Sequence, residues 1–129
     1  MPYDIAALPL ATTLGIELKT AEKDRVVGRL TVREDLCASG HILHGGAYMA
    51  FADTLGAIGA VLNLRGGART TTLESKTNFL GSARVGETIT GEATPLHVGR
   101  RSSVWQTRIT NADGKLLALV TQTQMTLES

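Results

Sequence analysis

Residues 44–64 read HGGAYMAFADTLGAIGAVLNL, and Asp53 is the only charged residue among them. Length and apolar content predict a buried helix over 46–64. Arg65-Gly66-Gly67 then stops it as a glycine C-cap, with a cation near the negative end of the helix dipole. A carboxylate inside such a helix is costly unless something nearby uses it. Gly45 and Gly46 at the helix start can present backbone N–H groups to an anion. Gly56 and Gly59, near one face, leave room for another backbone or a ligand. The stretch is also about as long as a membrane span. Asp53 at mid-span, the many Ala and Gly, and the missing basic flank favour a buried helix over a membrane.

Outward from the helix, the chain reads as strand. Residues 15–22 and 25–33 partly alternate around Lys23-Asp24 and predict a β-hairpin. Residues 34–43 form a loop into His44, and 3–12 form a short helix or turn that Pro9 interrupts. After the helix, strands are predicted at 70–80, 88–98, 101–110 and 115–127. Asn111-Ala112-Asp113-Gly114 is a tight turn between the last two, and alternation is strict from Val120. The order is two strands, one long apolar helix and an antiparallel meander of four. A helix apolar nearly all round must be enclosed. One curved antiparallel sheet of about six strands wrapping it is the economical α+β solution, as a single domain over residues 1–129.

Composition narrows the function classes. The 129 residues are 43% hydrophobic and 19% charged, with a formal net charge of +1, so nothing in bulk charge favours nucleic acid. Aromatic residues make up 4% of the chain, too few for a base-stacking platform. The single cysteine, Cys37, excludes an intrachain disulfide and fits a reducing compartment. The start, MPYDIAALPLATT, has neither a basic region nor a long apolar one, so no secretory signal and a cytoplasmic setting are expected. His41 and His44 are three apart, but no third histidine or cysteine pair stands close by, and no metal site is expected.

Helix geometry makes the glycines and the acid a two-chain matter. Gly45 and Asp53 are eight residues apart, an axial rise of about 12 Å and an angular offset of about 80°. They cannot share a reacting atom within one helix. If they cooperate, they come from two antiparallel copies, which predicts a two-fold dimer with two composite sites. The amide would hold a developing oxyanion, and Asp53 would attack an acyl carbon or deprotonate water. The plainer readings stand beside this one. Asp53 can be a structural hydrogen-bonding residue, Gly45-Gly46 a simple turn, and His44 a buried histidine bonded to backbone. His97 falls on a strand, facing solvent or a neighbouring strand.

HGGxxxxxxD at 44–53, within strand-strand-helix-strand order, resembles the hotdog-fold acyl-CoA thioesterases, more narrowly the phenylacetate-pathway type within the 4-hydroxybenzoyl-CoA thioesterase superfamily. The stretch TTTLESKTNFLGSARVGETITGEATPLHVGRR, residues 70–101, is similar to the pattern that follows the helix in that family. The resemblance covers nearly the whole chain. It implies Asp53 as the catalytic acid, Gly45 as the oxyanion donor with Gly46 beside it, and a largely positional His44. It implies Thr72, with Thr71 as the alternative, as the residue that orients water. Many relatives carry Asn or Gln six residues before the motif histidine; here that position is Ala38, and Ser39 or His41 is close enough to substitute. Coenzyme A phosphates need cations, for which Arg84, Arg100 and Arg101 are candidates; their other reading is solvated surface charge. Lys76, inside a strand, borders the pocket or pairs with Glu74 or another acid. Tyr48, Met49, Phe51, Leu55 and Ile58 are expected to set the depth of the acyl pocket.

The resemblance implies no cofactor, coenzyme A being part of the substrate, and a homodimer or a dimer of dimers. Two other functions stay open. A hotdog dehydratase or hydratase would pair His41 or His44 with Asp53, and a non-catalytic acyl-CoA-binding protein would suit Ala38.

Overall fold

The computed structural model describes residues 3–128. The elements in chain order are α1 (Pro9–Leu14), β1 (Glu17–Glu22), β2 (Arg25–Thr31), α2 (Gly45–Leu62), β3 (Arg69–Phe79), β4 (Thr88–Val98), β5 (Ser102–Thr110) and β6 (Leu116–Leu127). Pro9 opens α1 rather than interrupting it, because the first helical position has no N–H to lose. Gly15, at φ 77°, ends that helix in the left-handed region.

The six strands form one antiparallel sheet in the order β1-β2-β4-β5-β6-β3. The expected meander of four strands is therefore wrong in one respect. β4, β5 and β6 do follow one another, but β3 crosses to the far edge and pairs with β6. Alternation tells which face a residue takes and leaves its neighbouring strand open. The inward positions of β3 carry hydroxyls (Thr70, Thr72, Ser75, Thr77), and β6 meets them with Gln122 and Gln124. β4 instead brings Ile89, Gly91 and Ala93 under the apolar part of α2.

Helix α2 lies on this sheet, held by the glycines that the sheet and helix spare for each other. Gly28 and Gly91 are register partners on β2 and β4. The side chains of Leu55 and Phe51 rest in the hollow they leave. Gly59 lets the fully buried indole of Trp105 approach, and Gly56 does the same for the Gln122 amide. The helix glycines thus admit side chains of the chain's own sheet, not a ligand or another backbone. At its C-terminus α2 is stopped by Asn63, two residues before the expected Arg65-Gly66-Gly67 turn. The Asn63 side chain donates to the carbonyls of Gly59 and Lys23, both at 2.8 Å, and Gly66 turns the chain afterwards.

The sheet covers only one side of α2. Tyr48, Phe51, Leu55 and Ile58 are 2% exposed or less and face the core. Met49, Ala50, Asp53, Thr54, Ala57 and Val61 lie half-buried or exposed along the other face. The helix is apolar and long enough to cross a membrane, and half of its span is buried inside the chain.

Candidate active site

The helix start is built by His44. Its Nδ1 accepts the Gly46 N–H at 2.7 Å, capping α2 and leaving the ring proton on Nε2. His44 is exposed and capping, not buried. The Gly46 amide is thereby occupied. Among the described residues, the Gly45 N–H donates to no protein acceptor. The Phe79 ring lies against Gly45, where a Cβ would come within 3.2 Å of it. Phe79 also meets Tyr48 edge to face at 6.0 Å. Burial pushes the Tyr48 hydroxyl above its ordinary pKa.

Asp53 sits two turns along, half-buried, on the open side of α2. Thr72 Oγ1 donates to its Oδ1 at 2.6 Å, and Gln122 Nε2 donates to the same oxygen at 3.1 Å. Oδ2 makes no hydrogen bond among the described residues. One carboxylate oxygen is therefore anchored and the other left free. Thr72 shares the inward face of β3 with Thr70, and a bulge at Leu73 shifts the register just beyond it, between Thr72 and Glu74. Thr71 is exposed on the opposite face, away from the acid.

Gln122 and Gln124 were missed from sequence. The signal was their phase: both alternate with Val120, a fully buried core residue, so polar amides had to point inward. Leaving a buried polar atom unpartnered costs roughly 1–3 kcal/mol. Gln122 Oε1 is such an atom, so something holds this amide in place.

The remaining candidates fall into two groups. Ala38, Ser39 and His41 stand at the exposed tip of the loop before α2, which the Ala38 N–H and Ile42 carbonyl close at 2.8 Å. His41, at φ 60°, turns its Nδ1 to the Glu34 carboxylate at 2.8 Å. Arg84 bridges to Ile42 in the same region. Arg100 and Arg101 are far from it, at the other end of α2. There Arg65, Gly66, Val98 and Arg100 line a cleft of about 580 Å³, and Arg69, Arg100 and Arg101 line a second of about 660 Å³. Both clefts are remote from Gly45. Lys76 is exposed and makes no salt bridge to Glu74; Glu74 instead accepts from Thr123 at 3.2 Å. His97 is exposed on β4. No group of three or more metal-ligating side chains occurs among the described residues.

One long helix laid against a six-strand antiparallel sheet defines the hotdog class. Residues 40–118 match the model of the Thioesterase superfamily. The chain is 33% identical over 110 residues to a 1,4-dihydroxy-2-naphthoyl-CoA hydrolase of Listeria monocytogenes, covering 85% of this chain and 89% of that one. The crystal structure of a Haemophilus influenzae thioesterase superposes with a TM-score of 0.86 at 29% identity, over 92% of this chain and 82% of that one. A Streptococcus mutans protein bound to acetyl-CoA shares the fold at 23% identity, with a TM-score of 0.82 over 88% of this chain and 90% of that one. The chain belongs to the thioesterase superfamily and is an acyl-CoA thioesterase of hotdog fold.

Proposed function

We propose that two copies of this chain hydrolyse an acyl-CoA at two composite sites, each using Asp53 of one subunit and Gly45 of the other. The observation that carries this reading is the free Oδ2 of Asp53 on the uncovered face of α2, together with the free Gly45 N–H eight residues away. That face, rich in small side chains, suits a second α2 packed antiparallel. β3, an edge strand of eleven residues with unpaired ladder groups, lies beside it and suits continuation into a second sheet. Antiparallel packing sets the Arg100 and Arg101 end of one subunit toward the helix start of the other.

In this arrangement the partner subunit's Gly45 N–H binds the thioester oxygen and stabilises the oxyanion that forms there. Asp53 Oδ2 attacks the acyl carbon or takes a proton from the attacking water, and the coenzyme A thiol leaves. Thr72 holds Oδ1. His44 keeps the helix start in shape through its bond to Gly46. Ser39 or His41 supplies the carbonyl contact that Ala38 lacks. Arg100 and Arg101, with Arg84 at the loop, meet the phosphates. The chemistry calls on no metal or cofactor. The Listeria relative points to a fused aromatic acyl group as the first substrate to try. A dimer or a pair of dimers in the cytoplasm completes the proposal.

Thiol release across a panel of short, long and aromatic acyl-CoAs tests it, on wild type and Asp53→Asn. Asparagine keeps an oxygen for Thr72, so the fold should survive while the rate falls by a factor of about a thousand. Full activity in that variant would sink the assignment. Tight binding without thiol release by wild type would favour the non-catalytic reading that Ala38 suggests.

A further inference from the structure

Behind Asp53 stand two glutamines whose amides have no solvent to satisfy them. Gln122 is 0% exposed and Gln124 is 1% exposed. Buried amides normally find partners at both ends. Gln122 does so at one end only. Its Nε2 donates to Asp53 Oδ1 at 3.1 Å, to the Asp53 carbonyl at 3.4 Å and to Gln124 Oε1 at 2.9 Å. Its Oε1 has no partner and lies in the hollow above Gly56. Turning this amide over would set oxygen against three oxygens. Its orientation is therefore forced, and the orphaned oxygen is the consequence of aiming the nitrogen at Asp53.

Gln124 continues the chain of contacts. Its Nε2 donates to Thr70 Oγ1 at 3.1 Å, and Thr70 in turn donates to the Met125 carbonyl at 3.1 Å. Its Oε1 stands 2.6 Å from Thr72 Oγ1, the same distance that separates Thr72 from Asp53 Oδ1. Thr72 has one hydroxyl proton for these two acceptors. The charged carboxylate is the stronger acceptor and takes it. Gln124 Oε1 is where the hydroxyl turns once that charge is spent, whether on the proton of a water or on the acyl carbon.

We propose that Gln122 and Gln124 are positioning residues for the hydrolysis. Gln122 holds Asp53 Oδ1 so that Oδ2 faces the reaction. Gln124 gives the Thr72 hydroxyl a second acceptor through the cycle. The proposal rests on the reading of Asp53 as the reacting acid.

The test uses Gln122→Met and Gln124→Met, which keep side-chain length and remove the amide. Carboxyl-carbon NMR on aspartate-labelled protein reports on Asp53, whose resonance is the one missing from Asp53→Asn. Steady-state thiol release reports on catalysis. Gln122→Met should move the Asp53 resonance and lower kcat between about tenfold and about a hundredfold, with KM changed by less than about twofold. Gln124→Met should lower kcat while moving that resonance less. Wild-type kcat and an unmoved resonance in Gln122→Met overturn the proposal. Equal losses through KM overturn it as well, because positioning acts on the chemical step. Should Gln122→Met fail to fold, Gly56→Ala keeps the glutamine and displaces its amide. Should wild type release no thiol from any acyl-CoA, the hydrolase reading falls, and the resonance alone decides whether the glutamines hold Asp53.

Discussion

Gly56 and Gly59 lie one turn apart on α2, and alanine at each should fail in a different way. At Gly56 a new Cβ would strike the Gln122 amide, reaching its Nε2 at 2.8 Å. Ordinary contact between such atoms is about 3.5–4.0 Å, so the amide must retreat by about 1 Å. The bond from Nε2 to Asp53 Oδ1, now 3.1 Å, would stretch to about 4 Å and be lost. Alanine gains about 1 kcal/mol of helix propensity over glycine, and the lost hydrogen bond costs about as much. The displaced Gln122 amide is itself 0% exposed, so overpacking of about 1–3 kcal/mol comes on top. Stability should fall about as it does for Gly59→Ala, while kcat falls between about tenfold and about a hundredfold. At Gly59 the Cβ would meet the Trp105 indole at 2.5 Å, and that ring is 0% exposed. A rigid buried ring has nowhere to go, so overpacking costs about 1–3 kcal/mol. After the propensity gain, about 1 kcal/mol of destabilisation remains, near 4 °C in Tm for a chain of this size. Its kcat should stay at wild type. Thermal melts by circular dichroism, paired with thiol-release kinetics, separate the two. If Gly56→Ala keeps wild-type kcat and loses stability as Gly59→Ala does, the amide does not control Asp53 and the reasoning is refuted.

Two further predictions follow from the core and from the lone thiol. Leu55 is fully buried, and its methyls sit 2.9 and 2.6 Å from where Cβ atoms of Gly28 and Gly91 would be. Two glycines offer no side chain to collapse into the space, so Leu55→Ala should cost about 4 kcal/mol and about 15 °C in Tm. Denaturant unfolding checks this, and a loss under about 2 kcal/mol would mean the site does collapse. Desolvation, aided by the Glu34 and Asp35 carboxylates, pushes the Cys37 thiol above its ordinary pKa, and Sγ donates to the Arg33 carbonyl at 3.3 Å. Thiolate is then scarcer than in free cysteine at neutral pH and grows as pH rises. Cys37 should react with a chromogenic disulfide more slowly than free cysteine near neutrality, with the gap narrowing in alkali. Equal rates at neutral pH would contradict this.

Much of the site was legible from local signals. Asp53 announced itself as the one charge in an apolar run, and His44-Gly45-Gly46 as the punctuation of a helix start. Thr72, with Thr71 as its alternative, came from the family resemblance and not from a local signal. Thr72 was separated from Thr71 by which face of β3 turns to the helix, and the bulge at Leu73 shifts that face just beyond it. The directions of the five expected pocket residues were not legible, because a helix apolar on every side does not declare which side its sheet will cover. Tyr48, Phe51, Leu55 and Ile58 went to the core, and Met49 alone stayed on the open face.

The sequence by itself determined the long apolar helix, its start and stop regions, the strand segments, and the eight-residue separation of Gly45 from Asp53. All of these depend on residues near one another along the chain, where periodicity and turn chemistry act. Only the tertiary structure decided that β3 lies beside β6, that Gly56 makes room for Gln122, and that Asp53 is held through one oxygen. A strand's alternation sets the phase of its side chains. What those side chains meet depends on the strand hydrogen-bonded alongside and on the helix face laid across it, and both are settled by packing of the whole chain.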